Sequence, residues 1–164
     1  MTDPAPGRSV LFLLFNLGRD RYALDAGEVA EVLPVVDLKK IPQTPAAIAG
    51  AFDYRGSPVP AVDLSQLALG RPAERRMNTR IIVVHYGAAI AAGGRRLLGL
   101  VAERVTGTVR RDPADFVPSG VSAGAAPYLG PVAPDPRGVI QRIDVQALLP
   151  ADVRDRLYAG DRVR

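Results

Sequence analysis

The chain contains 164 residues, 48% of them hydrophobic, and its 21 Lys and Arg residues outnumber the 17 Asp and Glu residues for a net charge of +4. This length and apolar content suffice for the core of one ordinary domain or of two small lobes. The absence of cysteine excludes disulfides, thiolate metal sites and thiol nucleophiles, while the lack of a long apolar run or a secretion signal predicts a soluble, cytoplasmic protein without direct membrane insertion.

The first part of the chain is predicted to hold a leader, a hairpin, a helix and a further strand. Residues 1–9 are polar and rich in proline, which is typical of a flexible leader. Residues 10–17 and 22–24 are apolar runs separated by a polar turn, which indicates a β-hairpin. Residues 26–33 carry apolar side chains at helical spacing between an acidic cap and a proline, so a short helix is predicted there, and residues 35–41 are predicted to return as a strand.

The segment GAFDYRGSPVPAVDL at residues 50–64 places an Arg-Gly turn between two extended runs. Gly56 supplies the backbone freedom that a tight turn needs, whereas Pro58 and Pro60 restrict the following run to an edge strand or a strand end. Arg55 then lies at the lip of the turn, where its guanidinium suits docking to a carboxylate on another molecule. A merely solvated turn arginine is the alternative interpretation.

The middle of the chain continues with one short helix and several strands. A helix is predicted at residues 64–69, followed by a Gly-Arg-Pro loop at 70–78 that is the candidate boundary between two lobes. Residues 80–86 contain the β-branched run typical of a buried strand. Residues 97–102 and 105–110 indicate two more strands.

The last part of the chain follows the same pattern. Strands are predicted at residues 128–132 and 139–144, and short helices at 145–149 and 151–158. Many short strands separated by frequent turns argue for an all-β fold of small barrels rather than for a helical bundle.

Two aspartates occupy similar positions. Asp63 and Asp144 each end an extended run and precede a short apolar helical turn. Capping of that turn by the carboxylate, worth about 1 kcal/mol, is the simplest interpretation. Acid–base catalysis by the pair is the alternative, although no nucleophile or partner cation of obvious purpose lies nearby in the sequence.

Other candidate chemistry is sparse. His85 is the only histidine, so it is interpreted as a packed strand residue rather than as part of a catalytic triad or a metal site. Gly93 and Gly94 belong to no phosphate-binding motif and indicate a hairpin turn. No catalytic residue, cofactor or metal is therefore predicted. The alternative function is a small nucleic-acid-binding barrel with an arginine face, whose candidate residues are Arg75, Arg76, Arg80, Arg95, Arg96, Arg110 and Arg111.

Recognition remains as the default function of such a scaffold. Where two lobes meet, Val29 and the turn around Gly50 are expected to border an apolar groove, with Glu31 and Arg55 at its margin. A helix from a partner would lie in this groove with its apolar face down. A few buried anchors would then supply the binding energy, and the charged rim would supply the specificity.

Six segments occur in order along residues 11–149: FNLGRDRYALDAGEVAEVL, IPQTPAAIAGAFDYRGSPVPAVDL, TRIIVV, LLGLVAERV, PYLG and VIQRIDVQALL. Together they resemble the CheW family of chemotaxis coupling proteins. The resemblance implies two intertwined, five-stranded SH3-like β-barrels with a few short helices and no catalytic activity. It also implies a scaffold that joins the cytoplasmic tips of chemoreceptors to the histidine kinase CheA, whose coupler-like regulatory domain alternates with CheW in rings beneath the receptor array.

The resemblance also implies a receptor-facing site. Its residues fall on Val29 and Glu31 in the predicted first helix, on Gly50 before the turn and on Arg55 within it. The helical hairpin of a chemoreceptor is expected to pack there. The chain would thus associate with membrane receptor arrays through its partners.

The chain departs from the usual family pattern at three places, one of which is a hairpin from Tyr86 to Leu97 that is longer than is common. Asp53 and Tyr54 replace the usual Asn-Leu, which adds a negative charge and a phenol beside Arg55. Ala102 and Glu103 replace a typical Val-Asp in the second lobe. The FDYRG variant and the compact amino terminus are similar to the couplers of Wsp-type surface-sensing pathways, in which the kinase drives cyclic-di-GMP synthesis.

The expected domain organisation follows from the same resemblance. One CheW-like domain is predicted at residues 10–158, with a tail at 159–164. Its first lobe covers about residues 10–70 and its second about 79–144, with an exchange of strands between the lobes left open.

Overall fold

The computed structural model describes residues 8–89, 95–120, 124 and 126–159. Most of the predicted leader, the end of the tail and the Gly93-Gly94 pair lie outside the described residues. Within them the chain forms nine β-strands and two α-helices: β1 Val10–Leu17, β2 Asp20–Asp25, β3 Val29–Pro34, β4 Ile48–Tyr54, β5 Ser57–Asp63, α1 Leu64–Leu69, β6 Arg80–Ala89, β7 Arg95–Arg111, β8 Leu129–Asp135, β9 Gly138–Ile143 and α2 Ala151–Leu157.

Two five-stranded barrels share the long strand β7. The terminal barrel consists of β1, β2, the second half of β7, β8 and β9, and the central barrel consists of β3, β4, β5, β6 and the first half of β7. β7 pairs with β6 up to Ala102 and with β1 from Glu103 onward. At this junction Arg104 has a φ of 50° and the register against β1 shifts, so a bulge directs the strand from one barrel into the other. The predicted fold class is confirmed.

The barrels do not follow the order of the chain. β1 and β2 precede the loop at residues 70–78, yet they pair with β7 and β9, which follow it. β5 and β6 lie on either side of the same loop, and both belong to the central barrel. The loop is therefore a connection within the central barrel, and the first hairpin of the chain completes the other barrel.

Two elements predicted before β4 are wrong. Instead of a helix at residues 26–33, a 3₁₀ turn at Ala26–Glu28 leads into β3, which pairs with β6. Its valines are stiff, β-branched side chains that fit a pleated surface, and pairing with the buried strand β6 outweighs the local helical spacing. Residues 35–41 form no strand beyond an isolated bridge between Lys39 and Ala51.

Most other predicted elements are confirmed, within the usual shift of a few residues at their ends. These are the β1–β2 hairpin, the helices α1 and α2, and the strands β6, β8 and β9. The two strands predicted at residues 97–102 and 105–110 are one continuous strand, β7. The helix predicted at 145–149 is a 3₁₀ turn at Val145–Ala147. In the described part of the chain neither α-helix has the length and apolar content that crossing a membrane requires.

The core joins the barrels into one unit. One apolar cluster fills the central barrel, another fills the terminal barrel, and the largest lies between the two. β6 contributes to both sides, since Ile81 and Val83 point into the central barrel while Ile82 and Val84 pack into the shared core. A strand that is buried on both faces needs a continuous apolar run, which explains the sequence of this segment.

Candidate functional site

The Arg-Gly turn between β4 and β5 is a two-residue hairpin turn. Tyr54 pairs with Ser57, and the two residues between them have positive φ angles, 52° at Arg55 and 87° at Gly56. This geometry is that of a type I′ turn, whose twist matches the flanking strands. The Asp53 carboxylate accepts a hydrogen bond of 2.9 Å from the Gly56 backbone N–H and so stabilises the turn from within. The prediction of a tight turn that presents Arg55 is confirmed.

Glu31, Tyr54 and Arg55 form a cluster that connects β3 to this turn, called here the Glu31 cluster. The Tyr54 hydroxyl donates to Glu31 Oε2 at 2.7 Å, and Arg55 Nη2 lies 3.3 Å from the same oxygen. The Arg55 guanidinium also lies over the Tyr54 ring, 5.2 Å from its centroid. Because β3 pairs with β6 and β4 pairs with β5, the cluster joins the two ends of the strand order β3-β6-β7-β5-β4.

The two charged side chains of the cluster differ in how far they are exposed to solvent. The side chain of Arg55 is 76% exposed, compared with 36% for Glu31. The hydrogen bond to Glu31 raises the pKa of Tyr54 above its ordinary value, with a further contribution from desolvation, while Arg55 partly opposes the shift. The phenol therefore stays protonated at neutral pH and acts as a donor. The most accessible charged group of the cluster is the guanidinium.

Gly50 has a packing role. Its φ of 144° lies in a region that side chains avoid, and a β-carbon at this position would lie 2.5 Å from the carbonyl oxygen of Lys39. Ala51 and Lys39 exchange two backbone hydrogen bonds of 2.8 and 2.9 Å beside it. Gly50 is buried, and it allows the segment that carries Lys39 to lie directly on β4.

Val29 begins β3, not a helix as the sequence predicted. It pairs with Val84 of β6 and its half-buried side chain packs against the shared core. The register of β3 shifts between Val29 and Glu31. Of the four predicted site residues, the structure thus joins Glu31 directly to Arg55, and it places Gly50 beneath a neighbouring segment and Val29 against the core.

Tyr54 belongs to the Glu31 cluster, although the sequence pattern gave it no role there. It was noticed only as a departure from the usual family pattern, although it makes the shortest hydrogen bond to Glu31 in the cluster. The sequence feature that could have pointed to Tyr54 is its position directly before the turn arginine, Arg55. Its partner lies 23 residues away in the chain, and only the pairing of strands brings the two together.

The two aspartates that end extended runs in the sequence, Asp63 and Asp144, accept hydrogen bonds from backbone N–H groups. Asp63 Oδ1 accepts from the backbone N–H of Gln66 at 3.1 Å, and Oδ2 accepts from that of Ala73 at 2.9 Å. Asp144 Oδ1 accepts from the backbone N–H of Gln146 at 3.0 Å. The predicted capping role is therefore confirmed for both carboxylates.

A cleft near Asp63 is not part of the Glu31 cluster. It has a volume of about 420 Å³ and lies beside α1, with Ile41, Pro45, Ile48 and Asp63 in its lining. Both oxygens of its buried carboxylate, Asp63, are already occupied by backbone donors. None of the four predicted site residues lines it.

The proposed arginine face is interrupted by internal pairing. Arg76 forms an ion pair with Glu74 at 2.5 Å, and Arg80 donates to the carbonyl oxygens of Met77 and Thr79. These contacts commit Arg76 and Arg80, two of the seven candidate arginines, to partners within the protein. In the described residues no group of three or more His, Asp or Glu side chains is arranged to hold a metal ion.

The chain is similar to known proteins of one family. A family model for the CheW-like domain matches residues 11–153. The chemotaxis protein CheW of Helicobacter pylori is 29% identical over 108 residues, which cover 65% of this chain and 61% of that protein. The chemotaxis protein CheW of Klebsiella aerogenes is 30% identical over 95 residues, which cover 58% of this chain and 53% of that protein. The matches thus span about three fifths or less of the length of these curated relatives.

A solved structure has the same fold. The crystal structure of the scaffolding protein TtCheW from Thermoanaerobacter tengcongensis superposes with a TM-score of 0.74 and 25% sequence identity, covering 92% of each chain. The similarity therefore includes both barrels and the long strand that they share.

Proposed function

Because the chain belongs to the CheW family, whose domain model covers residues 11–153, we propose that it is a non-catalytic adaptor that couples chemoreceptors to a CheA-type histidine kinase. The cytoplasmic helical hairpin of a methyl-accepting chemotaxis protein would bind one surface of the adaptor. The regulatory domain of the kinase would bind another. The protein would then reside in the cytoplasm, beneath a membrane receptor array.

The observation that supports the receptor site most directly is the Glu31 cluster. Glu31 of β3 and Arg55 of the β4–β5 turn come from distant parts of the chain, yet they are in contact at 3.3 Å. The guanidinium is largely exposed, so it is available for a bidentate contact with a partner carboxylate. Together with Val29 and Gly50, these residues form the proposed receptor-binding site.

The mechanism of such an adaptor is mechanical rather than chemical. A receptor that changes the geometry of its hairpin can change kinase activity through the adaptor only if the contacts differ between the active and inactive arrangements. The shared core makes the two barrels one packed unit, so a displacement at one barrel is transmitted to the other.

Reconstitution with a soluble receptor-tip fragment and a CheA-type kinase tests this proposal. We expect the unaltered protein to form a ternary complex and Arg55→Ala to weaken it at unchanged thermal stability. Arg19→Ala is the matched control, because Arg19 is an exposed arginine next to a glycine in the β1–β2 turn of the terminal barrel. Equal loss with both variants, or loss with neither, would contradict the assignment of Arg55.

Val29 requires a mild substitution. An aspartate at this position would bury a carboxylate against the shared core, so lost binding would be confounded with lost folding. Val29→Thr keeps the β-branched shape that suits β3. Reduced receptor binding by this variant at preserved stability would support a role of Val29 in the site.

The Wsp-type variety of the family stays a prediction. The residues that suggest it are Asp53 and Tyr54 ahead of the Arg-Gly turn. A receptor gene adjoining a hybrid kinase and a diguanylate cyclase would support a surface-sensing output, whereas flagellar genes would favour swimming behaviour.

A further inference from the structure

The Glu31 cluster contains one acceptor and two competing donors. Glu31 Oε2 accepts a short hydrogen bond of 2.7 Å from the Tyr54 hydroxyl, whereas Arg55 Nη2 approaches the same oxygen only to 3.3 Å. The shorter contact is within the usual range for a hydroxyl donor to a carboxylate, and the longer one is a weak ion pair. Tyr54 is therefore the principal partner of Glu31, and Arg55 is the secondary one.

We propose that Tyr54 is a positioning residue, which holds the Glu31 carboxylate so that Arg55 remains available to a carboxylate on the receptor helix. This inference rests on the proposed function of the site. Tyr54 acts through Glu31 and not through its own contact with the receptor. It makes the chain selective for a partner helix that presents an acidic side chain to the β4–β5 turn.

The physical basis is competition within the protein. Without the hydroxyl, Glu31 Oε2 keeps one donor, the guanidinium, and the ion pair can close to normal hydrogen-bonding distance. A receptor carboxylate would then have to displace Glu31 before it could engage Arg55. With the hydroxyl in place, its 2.7 Å hydrogen bond takes up part of the negative charge of Glu31 Oε2, and Arg55 stays 3.3 Å from that oxygen.

Two further contacts prepare the guanidinium for an incoming carboxylate. The Tyr54 ring lies 5.2 Å beneath the guanidinium carbon, which limits the orientation of the planar group. The nearest other carboxylate on the hairpin, Asp53, accepts from the Gly56 backbone N–H within the turn. Arg55 itself is 76% exposed, so its guanidinium is accessible to a partner.

A double-mutant cycle tests this inference. The four proteins are the parent, Tyr54→Phe, Glu31→Gln and the double variant, and the probe is a soluble receptor-tip hairpin fragment from the same genome. We expect Tyr54→Phe alone to weaken binding about three- to tenfold, the range of one hydrogen bond. In the Glu31→Gln background the same change should alter affinity less than about twofold, because no competing charge remains.

Tyr22→Phe provides the matched control. Tyr22 lies in β2 of the terminal barrel and packs against Phe15, so this variant removes a phenol hydroxyl elsewhere at the same loss of volume. Thermal unfolding of every variant separates lost binding from lost folding. Tyr54→Phe keeps the aromatic ring and its contact with Phe52, so its melting temperature should stay close to that of the parent.

The outcomes distinguish this inference from the proposed function. If the parent binds the fragment and Arg55→Ala weakens binding, but Tyr54→Phe has the same effect in both backgrounds, Tyr54 contacts the receptor directly and the inference is overturned. No effect of Tyr54→Phe in either background also overturns it. If the parent does not bind receptor fragments at all, the proposed function falls, and the inference falls with it.

Discussion

The two barrels each contain a carboxylate that is shared between neighbouring strands, and they differ in how far it is buried. In the terminal barrel, Asp135 of β8 pairs with Arg21 of β2 and, at 3.1 Å, with Arg111 of β7. Its side chain is only 9% exposed, and those of the two arginines 23% and 22%. In the central barrel, Glu31 is 36% exposed and its arginine, Arg55, is 76% exposed.

A buried ion pair and an exposed one differ in what they can contribute, stability in the first case and recognition of a partner in the second. A carboxylate between two guanidinium groups, shielded from water, holds three strands together and has no capacity left for a partner. An exposed ion pair contributes little to stability because water and salt screen it. A carboxylate–guanidinium contact thus stabilises the terminal barrel, whereas in the central barrel it leaves exposed the guanidinium that is the proposed docking group.

The largest effect on stability is expected at Gly50. This residue is an exception to the contrast between the barrels, because it lies in the central barrel but contributes to stability. Gly50→Ala should lower the free energy of unfolding by about 3 kcal/mol, because the φ angle suits only glycine and the new methyl would meet the Lys39 carbonyl. Gly107→Ala in β7 is the matched control, since a β-carbon there would meet no atom within 4 Å. Urea denaturation measures both, and equal effects would contradict the steric explanation.

The next effect concerns the buried carboxylate. Asp135→Asn should destabilise the protein by about 2 kcal/mol, because Arg21 and Arg111 lose their shared counter-charge. Glu31→Gln, the equivalent change in the central barrel, should cost less than about 0.5 kcal/mol. If the two variants are equally stable in urea denaturation, burial does not distinguish the barrels.

The pH dependence of stability should also reflect the contribution of the buried Asp135 carboxylate. Burial alone would raise the pKa of Asp135, but the backbone N–H of Arg137 and the guanidinium groups of Arg21 and Arg111 outweigh it, and the pKa is lowered. A lowered pKa in the folded state adds stability above the pKa of an unfolded aspartate, and this stability is lost as the pH falls through the folded value. The parent should therefore lose stability in acid more steeply than Asp135→Asn. Parallel curves of unfolding free energy against pH would refute this expectation.

The smallest effect on stability, and a clear one on binding, is expected at the exposed arginine. Arg55→Ala should change the free energy of unfolding by less than about 0.5 kcal/mol while it weakens receptor binding. Calorimetry and a binding titration on the same preparation compare the two quantities. A large loss of stability would place Arg55 among the structural residues, as in the terminal barrel.

Local features of the fold were predictable from neighbouring residues. The turn at Arg55 and Gly56 follows from glycine at a position of positive φ, and the caps at Asp63 and Asp144 follow from carboxylates that accept from backbone donors two or three residues ahead. β6 was evident from its β-branched run. Each of these depends on contacts within a few residues.

Features that depend on distant partners were not predictable in the same way. The spacing of Val29, Val32 and Leu33 fits one face of a helix, but these residues lie in β3 because β6 offers a buried strand to pair with. The strand order β3-β6-β7-β5-β4 of the central barrel brings Glu31 to Tyr54. Secondary-structure propensity is a weak preference that tertiary contacts override, as they do in β3.

Composition, proline placement and turn chemistry act locally, so they were enough to predict a cysteine-free, all-β domain with an exposed arginine on a tight turn. Which strands close each barrel, and which carboxylate is buried, depended on the tertiary structure. It also decided that a phenol holds Glu31 beside the turn arginine. These outcomes arise from pairing between strands far apart in the chain, and no local pattern encodes the register that brings them together.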